Sequence, residues 1–365
     1  MQNTAERIAL DVSPLRAAPA GVGLYVALLA QGLFDAGARP SLVGLRQNAA
    51  FPTGTPPLEA VPLTGNSNQL WTQLWADRDA RQVGADLVHY TNAMAPVVRR
   101  LPYLVTIHDL SVMRMPRTHP VLRWPVVLAN LIAIKGARLI VVPSRFTARE
   151  LGRIGVDSER IVVIPHAPTL AASDSANADR TLNEYGLERN GYLISVGTLE
   201  PRKNVARLVE AFELMATDRP QLKLVLAGAP GWHFGGIRQR IEASSLRERI
   251  VLTGYAPAET VATLIANSAA SVYVSLYEGF GMPVLDSMAL GAPVVTSNRT
   301  AMVEASGGAG VLVNPLDVSD IARGIRSVLE SSDEYRARSL ARAAGRTWTD
   351  VAREHLDAYD VAWNR

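Results

Sequence analysis

Ser275-Leu276-Tyr277-Glu278-Gly279-Phe280-Gly281-Met282-Pro283-Val284-Leu285-Asp286-Ser287-Met288-Ala289-Leu290-Gly291-Ala292-Pro293 holds a strand end, a loop and a helix start in nineteen residues. The apolar run Ala270–Leu276 that leads into it reads as a buried strand. The run stops at Glu278, passes a Gly-Phe-Gly loop and restarts as a helix at Met282-Pro283. Proline suits the first helical turn, where its fixed φ fits and its missing N–H is not needed. Backbone N–H groups from Gly279, Phe280, Gly281 and Met282 are then placed to face an anion, helped by the helix dipole. Glu278 stands before this cradle and Asp286 lies one turn into the helix behind it. An anion site between two hydroxyl-seeking carboxylates suits a sugar–phosphate–ribose ligand.

Outward from that stretch the chain alternates short β-rich runs with helical segments, which argues for parallel α/β sheets. The first half offers strands near Ile8–Val12, Leu87–Tyr90, Tyr103–Ile107, Leu139–Val142 and Ile161–Ile164. The second offers Tyr192–Val196, Lys223–Ala227, Ile250–Leu252, Ser271–Leu276 and Pro293–Thr296. Between them Ala167–Leu187, with the small polar core Ala171–Asp179, has linker composition. The expected organisation is a first domain over 1–168, a linker over 169–187 and a second domain over 188–346. The segment 347–365 is an amphipathic helix with Trp348, Val351, Leu356, Tyr359 and Trp363 available for burial. Open α/β sheets bind ligands at the C-terminal ends of their strands, so motifs belong there.

Composition narrows the chemistry. At 365 residues the chain is long enough for two domains, and with 19% charged residues it is globular. Cysteine is absent, which excludes disulfides, thiolate metal sites and cysteine nucleophiles. A net charge of +3 does not by itself call for nucleic acid. The longest apolar stretch, Trp124–Ile134, is too short to span a bilayer. Beside it lies the Arg-bearing segment Arg114–Arg123, which together with it offers a contact for an anionic membrane surface; the plainer reading is a core helix with a solvated basic start. The six histidines are scattered singly, and no metal constellation is expected. Asp77-Arg78-Asp79 has the form of a metal-holding Asp-x-Asp, but it falls in a helical stretch beside Arg81 and reads as a solvated helix face.

Four further motifs follow strands. Gly197-Thr198-Leu199-Glu200-Pro201-Arg202-Lys203-Asn204 puts two cations at a strand–loop–helix junction, suited to a diphosphate: arginine binds bidentately and lysine adds a point charge. His108-Asp109 follows the strand Tyr103–Ile107. Gly21-Val22-Gly23 precedes a helix, where glycine lets backbone approach a phosphate; Val26 at the third glycine position breaks the dinucleotide fingerprint and disfavours a nicotinamide dehydrogenase. Thr253-Gly254-Tyr255 ends another strand, and Tyr255 is available to flank a base.

Glu278 to Val294 resembles the signature of the retaining glycosyltransferases of family 4, Glu-seven residues-Glu within E-G-F-G-x-P-x-x-E-A-M-A-x-G-x-P-V, with Asp286 in place of the second Glu. The resemblance implies the GT-B fold: two doubly wound Rossmann-like parallel-sheet domains facing across a cleft, with the C-terminal helix packing back on the first. It implies donor binding by Arg202, Lys203, Gly279, Phe280, Gly281, Met282, Asp286, Gly23 and Tyr255, with Asp286 on the ribose. Glu278 and His108 are the implied catalytic pair, His108 through the Thr-Ile-His-Asp-Leu stretch of mannosyltransferase-like members. The implied reaction moves a mannose- or rhamnose-type hexose from a nucleotide diphosphate sugar, GDP-mannose first, to a glycan or lipid-linked acceptor in surface polysaccharide biosynthesis. It needs no cofactor and no metal, and is expected in the cytoplasm or at the inner membrane's cytoplasmic face. A sugar-nucleotide epimerase of the same fold and a non-catalytic nucleotide-sugar-binding protein are the alternatives.

Overall fold

β-rich runs and helices alternate to build two six-stranded, wholly parallel sheets. The computed structural model describes residues 7–15, 21–38, 41–43, 68–118, 124–171 and 178–365. Residues 119–123 of the basic segment and 172–177 of the linker lie outside the described residues.

The first sheet contains β1 (Ile8–Asp11), β2 (Ser41–Val43), β3 (Leu87–Tyr90), β4 (Tyr103–Thr106), β5 (Leu139–Val142) and β6 (Ile161–Val163), in the order β2-β1-β3-β4-β5-β6. The second contains β7 (Tyr192–Val196), β8 (Lys223–Ala227), β9 (Ile250–Gly254), β10 (Ala270–Tyr273), β11 (Val294–Ser297) and β12 (Val311–Val313), in the order β12-β11-β10-β7-β8-β9. Both are doubly wound orders, and each reverses direction once: between β1 and β3, and between β7 and β10. β2 and β12, three residues each, were not expected from the sequence.

Packing divides the chain into two units, bounded at Ala167/Pro168 and at Gly345/Arg346, with residues 114–118 grouped with the second. Helix Ala178–Glu184 lies within the expected linker, and Leu182 and Leu187 pack with Tyr192 and Ile194 in a second-unit core, so that part is packed structure. The C-terminal helix Trp348–Trp363 belongs to the first unit. Its Val351, Ala352, Ala358, Tyr359 and Ala362 bury against Leu29, Leu33 and other side chains of the helix Val22–Asp35 and the sheet. Gly32 permits the approach: a Cβ there would lie 2.4 Å from the Trp348 carbonyl oxygen. Thr347 and Asp350 form a capping box that starts this helix.

The Asp77/Asp79 reading is corrected. Helix Ala76–Gln82 forms, but both carboxylates are buried. Asp77 accepts from the backbone N–H groups of Arg100 and Leu101 and pairs with Arg81, while Asp79 accepts from Trp71 Nε1 at 2.9 Å. Trp71 is fully buried, and its indole N–H needs a partner there.

Candidate active site

The second unit gathers its motif residues where its strand order reverses. The loop after β7 brings Arg202 and Lys203; the segment after β10 brings Glu278. β7 and β10 are hydrogen-bonded neighbours, and the segments that follow them meet: the Leu276 N–H donates to the Arg202 carbonyl at 2.8 Å and Arg202 Nη1 donates to the Tyr277 carbonyl at 2.9 Å. Gly228, at the end of β8, is forced by this crowding: its φ is +157°, and a Cβ would sit 2.1 Å from the Gly197 carbonyl oxygen.

Glu278 is buried and carries four donors. Oε1 accepts from Lys203 Nζ at 2.7 Å, Ser275 Oγ at 2.7 Å and Tyr273 OH at 3.0 Å, and Oε2 accepts from Arg202 Nη1 at 2.8 Å. Burial alone would push its carboxyl up; Lys203 and Arg202 outweigh that and bring it down to about 2. It is therefore ionised throughout the physiological range. Arg202 also pairs with Glu200 at 2.7 Å. The two cations read from the sequence as a diphosphate cradle thus sit between two carboxylates. Tyr273, Ser275 and Glu200 complete the cluster, and none of them was expected in the site from the sequence. For Tyr273 and Ser275 the signal was the alternation along β10 and just past it: Ser271, Tyr273 and Ser275 fall on one face and Val272 and Val274 on the other, both faces being buried.

Glycines shape the loop in front. Gly281 caps the helix Met282–Ala289 with φ +103°, and a Cβ there would meet Met302 Cε at 2.2 Å. The first intrahelical bonds run from Val284 and Leu285 to the Gly281 carbonyl, so the Met282 N–H precedes the ladder and Pro283 has none to place. Phe280 packs with Val284, Leu285 and Met302, which fixes the loop's entry to the helix. Asp286 is one turn in, as its spacing requires, but its carboxylate is engaged. It accepts from Thr169 N at 2.5 Å, Thr169 Oγ1 at 2.8 Å and Leu170 N at 3.2 Å. Burial raises its pKa, and those bonds pull against the rise. Tyr255, just past β9, is largely exposed. Beside it a cavity of about 290 Å³ opens at the ends of β7, β8 and β9, lined by Leu199, Gly228, Phe234, Arg238 and Gly254 among others.

The first unit places Gly21 and Gly23 at the start of the helix Val22–Asp35; Gly21 is its cap with φ +53° and Gly23 is buried in the first turn. His108 follows β4, and its Nε2 lies 3.0 Å from the Thr91 carbonyl oxygen. A carbonyl only accepts, so Nε2 carries the proton and Nδ1 keeps its lone pair. Burial lowers the His108 pKa, against the opposing pull of that bond and Asp109, and the ring is neutral at pH 7.

Four of the six histidines are gathered together, contrary to the sequence reading. His108, His166 and His355 surround Tyr25, whose ring meets His108 edge-on at 4.7 Å, and His89 stacks on His355 at 5.6 Å. Their hydrogen bonds run one way. His355 Nδ1 donates to the Val351 carbonyl (2.7 Å), so Nε2 accepts from Tyr25 OH (3.0 Å). Tyr25 then accepts from Thr106 (3.1 Å), Thr106 from His89 Nε2 (2.7 Å), and His89 Nδ1 from Tyr359 OH (3.0 Å). Among the described residues no group of three or more His, Asp or Glu is arranged to hold a metal ion.

A profile described as "Glycosyltransferase Family 4" matches residues 19–168, and one described as "Glycosyl transferases group 1" matches residues 179–346. O-antigen chain mannosyltransferase B of Escherichia coli is 34% identical over 306 residues, covering 79% of this chain and 77% of that protein. The chain belongs to glycosyltransferase family 4. This glycosyltransferase is also similar to the MMP alpha-(1->4)-mannosyltransferase of Mycolicibacterium hassiacum, at 25% identity over 78% of this chain and 70% of that protein. In fold it matches Anabaena Alr3699/HepE, solved with UDP and glucose, at a TM-score of 0.75 and 20% identity over 97% of this chain and 99% of that one. WaaG, a glycosyltransferase involved in lipopolysaccharide biosynthesis, matches at a TM-score of 0.75 and 15% identity over 96% and 99%. The two parallel-sheet units of this glycosyltransferase are those of the GT-B fold, and the chain is an enzyme of the transferase class. Among the described residues no helix is long and apolar enough to cross a membrane.

Proposed function

We propose that this glycosyltransferase moves a mannose-type hexose, from GDP-mannose as first choice, to a glycan or lipid-linked acceptor hydroxyl with retention, in surface polysaccharide assembly. The observation that carries the reading is the ionised Glu278 held beside Arg202 and Lys203 at the head of the helix Met282–Ala289. The names of the mannosyltransferase relatives support the sugar.

In this reading the second unit takes the donor. Arg202, Lys203 and the Gly279–Met282 backbone receive the diphosphate. Negative charge grows on it as the glycosidic bond breaks, so these groups bind the transition state more tightly than the ground state. They serve the leaving group without a metal or cofactor. Glu278 orients sugar hydroxyls and offsets positive charge at the anomeric carbon. Tyr255 and the adjoining cavity suit a planar base. In the first unit, Gly23 at its helix start and the neutral His108, with a lone pair at Nδ1, offer contacts to phosphate and hydroxyl groups. The enzyme would work at the cytoplasmic face of a membrane, where a lipid-linked acceptor lies.

The test is a thermal-shift panel of nucleotide sugars followed by turnover of those that bind. GDP-mannose is expected to raise the melting temperature by mass action. Lys203→Ala is expected to cut turnover by roughly a hundredfold, the cost of one charge-assisted contact to the leaving group. Chelator is expected to leave the rate unchanged. Normal turnover in Lys203→Ala would remove the diphosphate assignment, and a new sugar nucleotide formed from donor alone would favour an epimerase.

A further inference from the structure

We infer that Tyr273, with Ser275, is the positioning residue that keeps Glu278 ionised and aimed when Arg202 and Lys203 leave it for a diphosphate. The inference rests on the donor-site reading above. Both cations pair with Glu278, and Arg202 with Glu200 as well. A diphosphate that draws either cation takes a partner from a buried carboxylate. Such a carboxylate must keep other donors or take up a proton.

Two of its four donors cannot follow the ligand. Tyr273 is the last residue of β10 and is buried, its ring packed among Val284, Leu285, Met288 and Met302. Ser275 is two residues on, fully buried on the same face. Both hydroxyls meet Glu278 Oε1, at 3.0 Å and 2.7 Å. Being neutral, they are not drawn towards an incoming anion as the cations are. Burial and the neighbouring Glu278 raise the Tyr273 pKa, so its hydroxyl stays protonated and donating.

Tyr273 does a second thing that Ser275 does not. Its oxygen accepts from Lys203 Nζ at 2.6 Å, and the ammonium lies 5.2 Å from the ring centroid. The phenol therefore bridges Lys203 and Glu278. As the ammonium swings towards a phosphate, the hydroxyl retains it at one end and the carboxylate at the other.

The experiment measures GDP binding, with UDP as a second arm, by calorimetry from pH 5 to 8. It compares the wild type, Tyr273→Phe, Ser275→Ala and the double variant. Each single change is expected to weaken binding roughly tenfold, the loss of one hydrogen bond to a charged group. The double variant is expected to lose more than the product of the two, since either hydroxyl alone still serves Oε1. In Tyr273→Phe Glu278 takes up a proton more readily in the bound state, so the rise in affinity as pH falls is expected to set in at a higher pH than in the wild type. A purely packing role would lower the unligated melting temperature and leave that pH profile unmoved. If Tyr273→Phe does not fold, Ser275→Ala carries the same pH test. Wild-type binding with single and double variants within twofold of it at every pH overturns the inference alone. A wild type that binds neither nucleotide overturns the donor-site reading beneath it.

Discussion

Asp286 shows what one side chain reveals and conceals. Its position, eight residues after Glu278, was legible because helix spacing is fixed by the backbone. Its partners were not, because Thr169 and Leu170 lie more than a hundred residues away in sequence. A shorter acid than the family's glutamate reaches those two residues and closes three hydrogen bonds. Asp286→Asn replaces one carboxylate oxygen with an NH₂ group that cannot accept. It is expected to cost about 1–3 kcal/mol of stability. Asp286→Glu adds a methylene at a buried site and is expected to cost a similar amount by overpacking, about 1–3 kcal/mol. Thermal melts check both. The ratio of affinities for GDP and 2′-deoxy-GDP separates a backbone clamp from a ribose ligand. In Asp286→Asn that ratio is expected to stay as in the wild type, and its collapse would return the ribose to Asp286.

At the scale of elements, period and punctuation carried most of the sheets. β10 was readable as an apolar run, and the C-terminal helix as Trp348, Val351, Tyr359 and Trp363 on a helical period. The two shortest strands, β2 and β12, are only three residues each, too brief for any alternation to show. The histidine chain was invisible for another reason: His89 meets Tyr359 across 270 positions, and Tyr25 meets His355 across 330. Only the docking of the C-terminal helix on the helix Val22–Asp35 brings them together. That docking is expected to be acid-sensitive. Burial, the largest cause, lowers the His355 pKa to about 4, and His89, His108 and His166 are lowered too. Above about pH 6.5, the unfolded value, folded and unfolded states are both neutral and the full stability is present. Between there and pH 4 the unfolded chain takes up a proton that folded His355 refuses, so stability falls as pH falls, by about 3 kcal/mol for this residue. Asp11, pushed up to about 6 by burial, works with the opposite sign below pH 6. Glu278 does not enter, since its contribution is lost only as pH falls from 4.5 towards 2. The clean measurement is the slope of unfolding free energy against pH. Between pH 4 and 6.5 that slope is expected to be shallower in His355→Gln by about one proton. An unchanged slope would show that His355 is not the group titrating.

The whole molecule carries its charge unevenly. Net charge is only +3, yet Leu87 to Arg149 holds nine arginines or lysines against one carboxylate, Asp109. The rest of the chain is therefore net negative. Within that basic stretch the helix Trp124–Gly136 is half-buried: Val127, Asn130, Ala133 and Ile134 face inward. Trp124, Leu128 and Leu131 are 67%, 60% and 41% exposed, one helical stripe that ends at the exposed Lys135. This corrects the plain reading as a core helix, which the sequence favoured because the segment is apolar on every face and no period marks the outward one. Val97 and Val98, 58% and 81% exposed, belong to a loop tied nearby: Arg99 lies over the Tyr103 ring, and Tyr103 OH donates to the Ala133 carbonyl. Apolar side chains rimmed by Arg99, Arg100 and Lys135 match the chemistry of an anionic bilayer surface, where each cation adds about 1 kcal/mol. That fits the proposed lipid-linked acceptor. The protein is expected to sediment with phosphatidylglycerol vesicles and not with phosphatidylcholine ones, and to release as salt rises. Trp124→Ser with Leu128→Ser is expected to weaken vesicle binding at least tenfold, given about 1.5–3 kcal/mol for each large apolar side chain buried. Both residues are solvent-facing, so the melting temperature should hold. Equal binding to neutral vesicles, or a double variant that binds like the wild type, would mean that this face serves something other than the membrane.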